Sequence, residues 1–515
     1  MLISRIGLLC LAAMLATAAE AAQAPPRFAT AARLREARQL VTAGRWDEAQ
    51  EALKKVLAAD PEQFDALLVS GEILEGKRDL AGAADAYARA LRVRPSSAAA
   101  HDKLGFVLGR QERVPEAIAE FTKAIELDPA LFDAQYHLGA TRWWTRDLAG
   151  AEASLRAAVR LRPRHAEARY YLGLTLRQLG SIHEAIDHLR LATELAPSLA
   201  PAHLQLGVAL QSLGEQARAV ASLRRAVALD PSPEALNSFG LALMQSGNGA
   251  EAIGTFRKLI AAHPSFAPAS LNLATTLMHQ GDLAAAIELL EHITKSQPDN
   301  AEAFYNLGVA LKQRDEYDRA EAALRRAVAL DPALGDAPFT LGVLLWQTGR
   351  PADAEQQFRE AVARSPESAD AHYMLGTVLR TAGRTDDALV EFRAAIRLRA
   401  DLIEAHHSLA QVLQQQGDAA GAAAAREEAE RLTRRKADAQ ASAFALSVGR
   451  QKLKTGNRTG AIAQFREAIR LAPDNAEAHH ALAVALRQAG AAAEARQHFA
   501  EARKLAPHLY AGASR

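Results

Sequence analysis

The chain has one cysteine, Cys10, in 515 residues, and aromatic side chains make up only 5% of it. A single thiol excludes an internal disulfide framework and a multi-cysteine metal site. Lysine and arginine number 61 against 60 aspartates and glutamates, a formal net charge of +1. A nucleic-acid binder should show a basic surplus, so no nucleic-acid partner is expected. The sequence also lacks a glycine-rich phosphate loop, a GxSxG elbow and, apart from Cys10 near the N-terminus, any thiol nucleophile.

The nearest approach to a metal motif is His183-Glu184-Ala185-Ile186-Asp187-His188. Its histidines are five apart, about 140° around a helix, so they diverge instead of sharing a face. The pairs His406-His407 and His479-His480 are adjacent and point different ways on a helix. The chain is read as non-enzymatic, with no catalytic residues, no cofactor and no metal.

Long apolar runs are missing too, except at the start. Residues 1–24 read as a secretory signal peptide, with Arg5 before an apolar stretch, Ile6–Leu15. That stretch is too short to span a bilayer stably. Ala16-Thr17-Ala18 and Ala19-Glu20-Ala21 offer cleavage sites; an uncleaved anchor is the alternative. Leu9 before Cys10 disfavours a lipid anchor. A cleaved product would have no stable membrane span and would be periplasmic or secreted, in a bacterium.

What the chain does have is a period. Prolines fall at 61, 95, 129, 163, 197, 231, 264, 298, 332 and 366, then at 473 and 507. The spacing is 34 residues, with one step of 33 and one of 107. The long step hides three repeats and a five-residue insertion, which makes fourteen repeats over residues 30–509. Ala301–Leu334 serves as the reference, with Ala301 as position 1. Phe304, Leu307, Gly308 and Leu311 form one stripe of a helix A, and Ala320, Leu324 and Ala327 the matching stripe of a helix B. Position 20 is alanine in all fourteen repeats, and position 8 is glycine or alanine. Glycine costs about 1 kcal/mol inside a helix, so its recurrence at position 8 predicts close approach of helix A to helix B. Glycine at position 15 in ten repeats, Gly44 and Gly180 among them, predicts a left-handed residue ending helix A.

This pattern resembles the tetratricopeptide repeat. The small residue at 8, Ala at 20, the aromatic at 24 (Tyr87, Phe121, Phe256) and the proline at 32 carry the resemblance. Position 4 departs from the family's tryptophan and is most often histidine, as in His101, His203 and His372. The resemblance implies an all-α fold: an α-solenoid of helix-turn-helix repeats in a right-handed superhelix.

The expected organisation is a signal peptide (1–24), a linker (25–29), twelve repeats (30–436), two further repeats (437–509) and a tail (510–515). In the twelfth repeat the pattern degrades, and Ala419–Ala445 is read as an over-long helix B carrying the insertion. The basic run Arg434-Arg435-Lys436 is read as a solvated face. The last helix B ends the array with no extra capping helix; either it is polar enough or that end docks on something.

In the family the resemblance implies, the face of helix A away from its packing stripe lines a concave groove that takes peptides. Helix geometry places positions 5 and 12 on that face here. At position 5 this singles out Tyr136, Tyr170, Asn237, Tyr305, Phe339 and Tyr373. At position 12 it singles out Trp143, Arg177, Met244, Lys312, Trp346 and Arg380. Aromatic, Met and Arg side chains on a nominally exposed face are enriched at interfaces. Position 5 can equally pack against the next repeat. Asn272 and Asn306, at position 6, resemble the asparagines with which the O-GlcNAc transferase superhelix holds peptide backbone.

The leading expectation is a scaffold of the bacterial envelope that binds a protein or peptide ligand, of unstated identity, in that groove. An accessory role in exopolysaccharide synthesis or export is the alternative. A relative of O-GlcNAc transferase without its catalytic domain is a third reading.

Overall fold

The computed structural model describes residues 26–334 and 336–507. Among them are 27 α-helices and no strand. The helices alternate as A and B through fourteen repeats, an all-α solenoid. They fall into two compact halves, one ending at Gln280 and the other starting at Gly281. The first holds repeats 1–7 and helix A of repeat 8; the second starts with helix B of repeat 8, Leu283–Ser296.

Each hairpin closes where the periodicity places it. Alanine at position 20 is 0% exposed in thirteen repeats and 2% in the last, Ala495. A Cβ added at any of the ten position-8 glycines would lie 2.3–2.9 Å from the side chain at position 24 of the same repeat. At Gly240, for example, it would meet the Phe256 ring at 2.6 Å. The position-24 ring or leucine therefore rests on bare backbone, and the helix penalty of glycine is offset by burial of that side chain.

The turn is equally regular. Position 15 has positive φ in all fourteen repeats: ten times glycine, and four times Arg78, Glu112, Arg146 and Asp315, at φ 62–64°. The non-glycine residues adopt the left-handed conformation at a steric cost of roughly 1–2 kcal/mol each.

In seven repeats, position 4 ties the repeat to the one before. The Nε2 of His101, His203, His372 and His479 lies 3.0–3.2 Å from the proline carbonyl that closes the preceding repeat. His406 reaches the Ala400 carbonyl in the same way at 2.9 Å. Arg169 donates to Pro163 and Gln135 to Pro129. The bond gives the carbonyl a fixed protein donor, worth about 1 kcal/mol. That accounts for a polar side chain here in place of tryptophan.

Two expectations are corrected. Residues 26–29 are not a linker: helix A of repeat 1 runs Pro26–Thr42. Proline is well suited to the first helical position, and nothing between it and Thr42 breaks a helix. The over-long helix B does not end near Ala445 but continues to Lys454, a single 36-residue helix that also contains helix A of repeat 13. Position 32 of repeat 12 is Arg434, not proline, and no left-handed glycine intervenes before Gly456. Without either stop signal, helix B runs straight into the next helix A. The boundary expected at 436/437 lies inside this helix. Residues 1–24 and 510–515 lie outside the described residues.

Candidate interaction face

All fourteen side chains singled out from the sequence are half-buried, neither free on the surface nor sealed in the core. The reason is a ladder that runs from one repeat to the next. Position 5 of one repeat meets position 6 of the following one. Asn272 Nδ2 donates to Asn237 Oδ1 at 2.8 Å. Tyr305 and Thr340 bring their hydroxyl oxygens to 3.5 Å. His137 Nδ1 lies 2.8 Å from Asp102 Oδ1, and Asp102 is only 7% exposed. In repeats 4 and 5 the step is aromatic, with the Tyr136 and Tyr171 rings 6.1 Å apart. Phe339 and Tyr373 instead lie beside their own position-24 rings, Phe358 and Phe392, at 5.9 and 6.0 Å. Position 5 is thus engaged in packing, and what it offers a partner is one edge. Asn306 makes no side-chain hydrogen bond among the described residues, so it and Asn272 are not equivalent.

Position 12 is different. Trp143 Nε1, Arg177 Nε and Arg380 Nε are buried donors without a hydrogen-bond partner among the described residues. Arg380 does use its outer nitrogen, donating to Gln411 of the next repeat. Met244 accepts from Thr276 Oγ1 at 3.4 Å. Lys312 forms no ion pair among the described residues, and burial lowers its pKa from the ordinary value. Trp346 is half-buried at the matching place in repeat 10.

The side chains converge most strongly in repeats 3–5. Tyr171 stands at the centre, with ring centroids 5.3 Å from Tyr170, 5.7 Å from Trp143 and 6.1 Å from Tyr136. Beside it opens an apolar groove of about 590 Å³, lined by Phe106, Tyr136, His137, Trp144 and Tyr171, with Arg110 at its edge. Trp144 is 74% exposed, the most exposed large apolar side chain of the described residues. Burial raises the phenol pKa of Tyr136, Tyr170 (to about 12) and Tyr171, so all three stay neutral donors at neutral pH. The sequence reading left out Phe106, His137, Trp144 and Tyr171, which sit at positions 9, 6, 13 and 6. The adjacent tryptophans Trp143-Trp144 were the signal that could have found this groove.

A tetratricopeptide-repeat family model matches residues 34–100, 76–132, 138–200 and 449–509, and a second matches 200–233. The chain is a tetratricopeptide-repeat protein. Over residues 232–446 this tetratricopeptide-repeat protein also matches a model of the C-terminal domain of cilia and flagella-associated protein 70. No curated protein matches it. Among solved structures it is similar to YrrB, described as a tetratricopeptide-repeat protein with an unusual peptide-binding site. Identity is 27%, over 36% of this chain and 96% of that one, with a TM-score of 0.33. PilW, a type IV pilus biogenesis factor, is 23% identical over 41% of this chain and 98% of its own, with a TM-score of 0.37. The Naa15/Naa10 complex bound to HypK is 14% identical, covering 93% of this chain and 94% of that chain, with a TM-score of 0.31.

Proposed function

We propose that the protein is a non-enzymatic interaction scaffold of the bacterial cell envelope, and that it holds a polypeptide segment against helices A of repeats 3–5. The carrying observation is the 590 Å³ groove with an exposed tryptophan at its rim. Burying Trp144 and the edges of Tyr136 and Tyr171 would supply the apolar gain typical of an interface hot spot. In the second compact unit, Lys312, Trp346 and Arg380 of repeats 9–11 stand at the same position 12 of their helices A. The envelope location rests on the signal-peptide reading of residues 1–24.

The test is an affinity capture from envelope extract, wild type against Trp144→Ala/Tyr136→Ala, at unchanged helical circular dichroism. Loss of specific polypeptides from the variant supports the groove and identifies its ligand. An identical set of captured proteins would remove the groove from the function. Fractionation that finds the chain in the cytoplasm would remove the envelope.

A further inference from the structure

The fused helix Ala419–Lys454 carries a second surface, distinct from the groove. In a regular step, position 3 of helix A is covered by positions 27 and 28 of the preceding helix B. Ala168 clusters with Ala158 and Val159, Ala269 with Leu259 and Ile260, and Ala405 with Ala395 and Ile396. Position 3 is accordingly alanine, at most 2% exposed, in repeats 2–12 and 14. In repeat 13 it is Phe444, and it is 72% exposed. The fused helix runs on unbroken there, so no preceding helix B folds back over it.

The other side of the missing step is marked as well. Position 28 is Leu, Ile, Val or Thr in repeats 1–11 and 13. In repeat 12 it is Glu430, which is exposed, and in the terminal repeat 14 it is Arg503. Repeat 12 therefore ends in a polar face, as a solenoid end does. Repeat 13 begins with a bare apolar one. A simple end would not require the phenylalanine: repeat 1, also the first of its stack, keeps Ala32 at position 3.

The bare face is long and has charged margins. Every residue from Thr433 to Ala441 is exposed. Ala437, Ala441, Phe444 and Val448 follow the i, i+4, i+7, i+11 spacing of one helix stripe. Arg434 and Lys452 lie about 80° to one side of Phe444, and Lys436 and Lys454 about 80° to the other. These four cations form no ion pair among the described residues, whereas Arg431, Arg435 and Arg450 are paired with Glu428, Asp474 and Glu477. Residues 431–454 hold seven cations and one acid, Asp438, in a chain whose net charge is +1.

We infer that this face docks an acidic amphipathic helix of a partner polypeptide. The geometry calls for a helix because the face is the one that receives helix B in every other stacked repeat. Phe444 in place of alanine requires a hollow of small residues on the partner. The unpaired cations on both margins require carboxylates there. A second copy of this chain is disfavoured, because antiparallel self-pairing about Phe444 would set Arg434 and Lys436 against Lys452 and Lys454.

The test uses the full chain and a synthetic 18-residue helix with an Ala/Leu stripe flanked by glutamates. Its lysine-for-glutamate counterpart and phosphatidylglycerol vesicles serve as rivals. The acidic helix should bind, and added salt should weaken it. Phe444→Ala restores the residue of the other repeats and removes only exposed surface; it should weaken binding about tenfold, in keeping with loss of one buried aromatic. Lys436→Glu/Lys452→Glu should weaken it at least as much. No binding of the acidic helix, equal binding by Phe444→Ala, or equal binding of the lysine helix would overturn the inference. Binding of vesicles alone would assign the face to a membrane and overturn it too. A dimer of the free chain that Phe444→Ala dissociates would do the same in favour of self-association.

Discussion

At the scale of single residues, the repeat depends on a few positions where a small change has a large and signed effect. Gly308 lies against Leu324, where an added Cβ would come within 2.6 Å of Cγ. Gly308→Ala should therefore destabilise, by about 1–3 kcal/mol, despite the better helix propensity of alanine. The opposite sign applies at position 15. Glu112 holds φ +63°, so Glu112→Gly should stabilise its hairpin by up to about 1 kcal/mol. Urea titrations of the two variants check both signs, and agreement in sign between them would sink the account. Position 4 gives a rescue test. His372 contacts the Pro366 carbonyl and Glu391, so His372→Leu should cost about 1 kcal/mol or more. His372→Gln should recover part of that, since Gln135 makes the same bond to Pro129 in repeat 4.

At the scale of elements, the fused helix and the last repeat differ from the rest in how much covers them. Amides of 433–441 belong to a helix that no neighbour packs over along that stretch, while Ala445, Leu446 and Gly449 are buried against repeats 13 and 14. Hydrogen exchange should be faster in the first set than in the second; equal protection would show that something else covers the helix. The last repeat is also pH-sensitive. Burial, reinforced by His479 with its Nδ1 3.0 Å away, holds the His498 pKa below its ordinary value. His480 is lowered for the same primary reason, with Arg487 adding to it. Glu494 opposes the shift at His498 and Arg466 adds to it. A depressed histidine pKa means the unfolded segment binds more protons than the folded one. Stability is then full above the unfolded value of about 6.5 and falls as pH drops below it. Residues 476–505 should lose exchange protection between pH 7.5 and 5, after correction for intrinsic rates, while repeats 2–4 keep theirs.

At the scale of the whole molecule, a chain whose repeats contact mainly their neighbours should not unfold in one step. Its four tryptophans, Trp46, Trp143, Trp144 and Trp346, all lie in repeats 1–10. Tryptophan fluorescence therefore reports only on that part, whereas circular dichroism at the helix band reports on all fourteen repeats. The two urea transitions should not coincide; superimposable curves would mean a single cooperative unit.

How much of this was legible in the chain follows from the range of each interaction. Periodicity alone gave the helical hairpins, the small residue at 8, the buried alanine at 20 and the left-handed turn at 15. Each is a local steric demand, repeated often enough to be seen. The candidate face was legible as a set of positions. Which of its side chains are engaged was not, because position 5 of one repeat is satisfied by position 6 of the next, 35 residues away in the pairs seen. The groove around Tyr171 and Trp144 likewise joins side chains from three repeats, and no single repeat contains it. The insertion at 437–441 could be counted from the sequence. That it joins two helices into one and leaves Phe444 bare was decided only in three dimensions, because exposure depends on what fails to fold back over a residue and not on the residue itself.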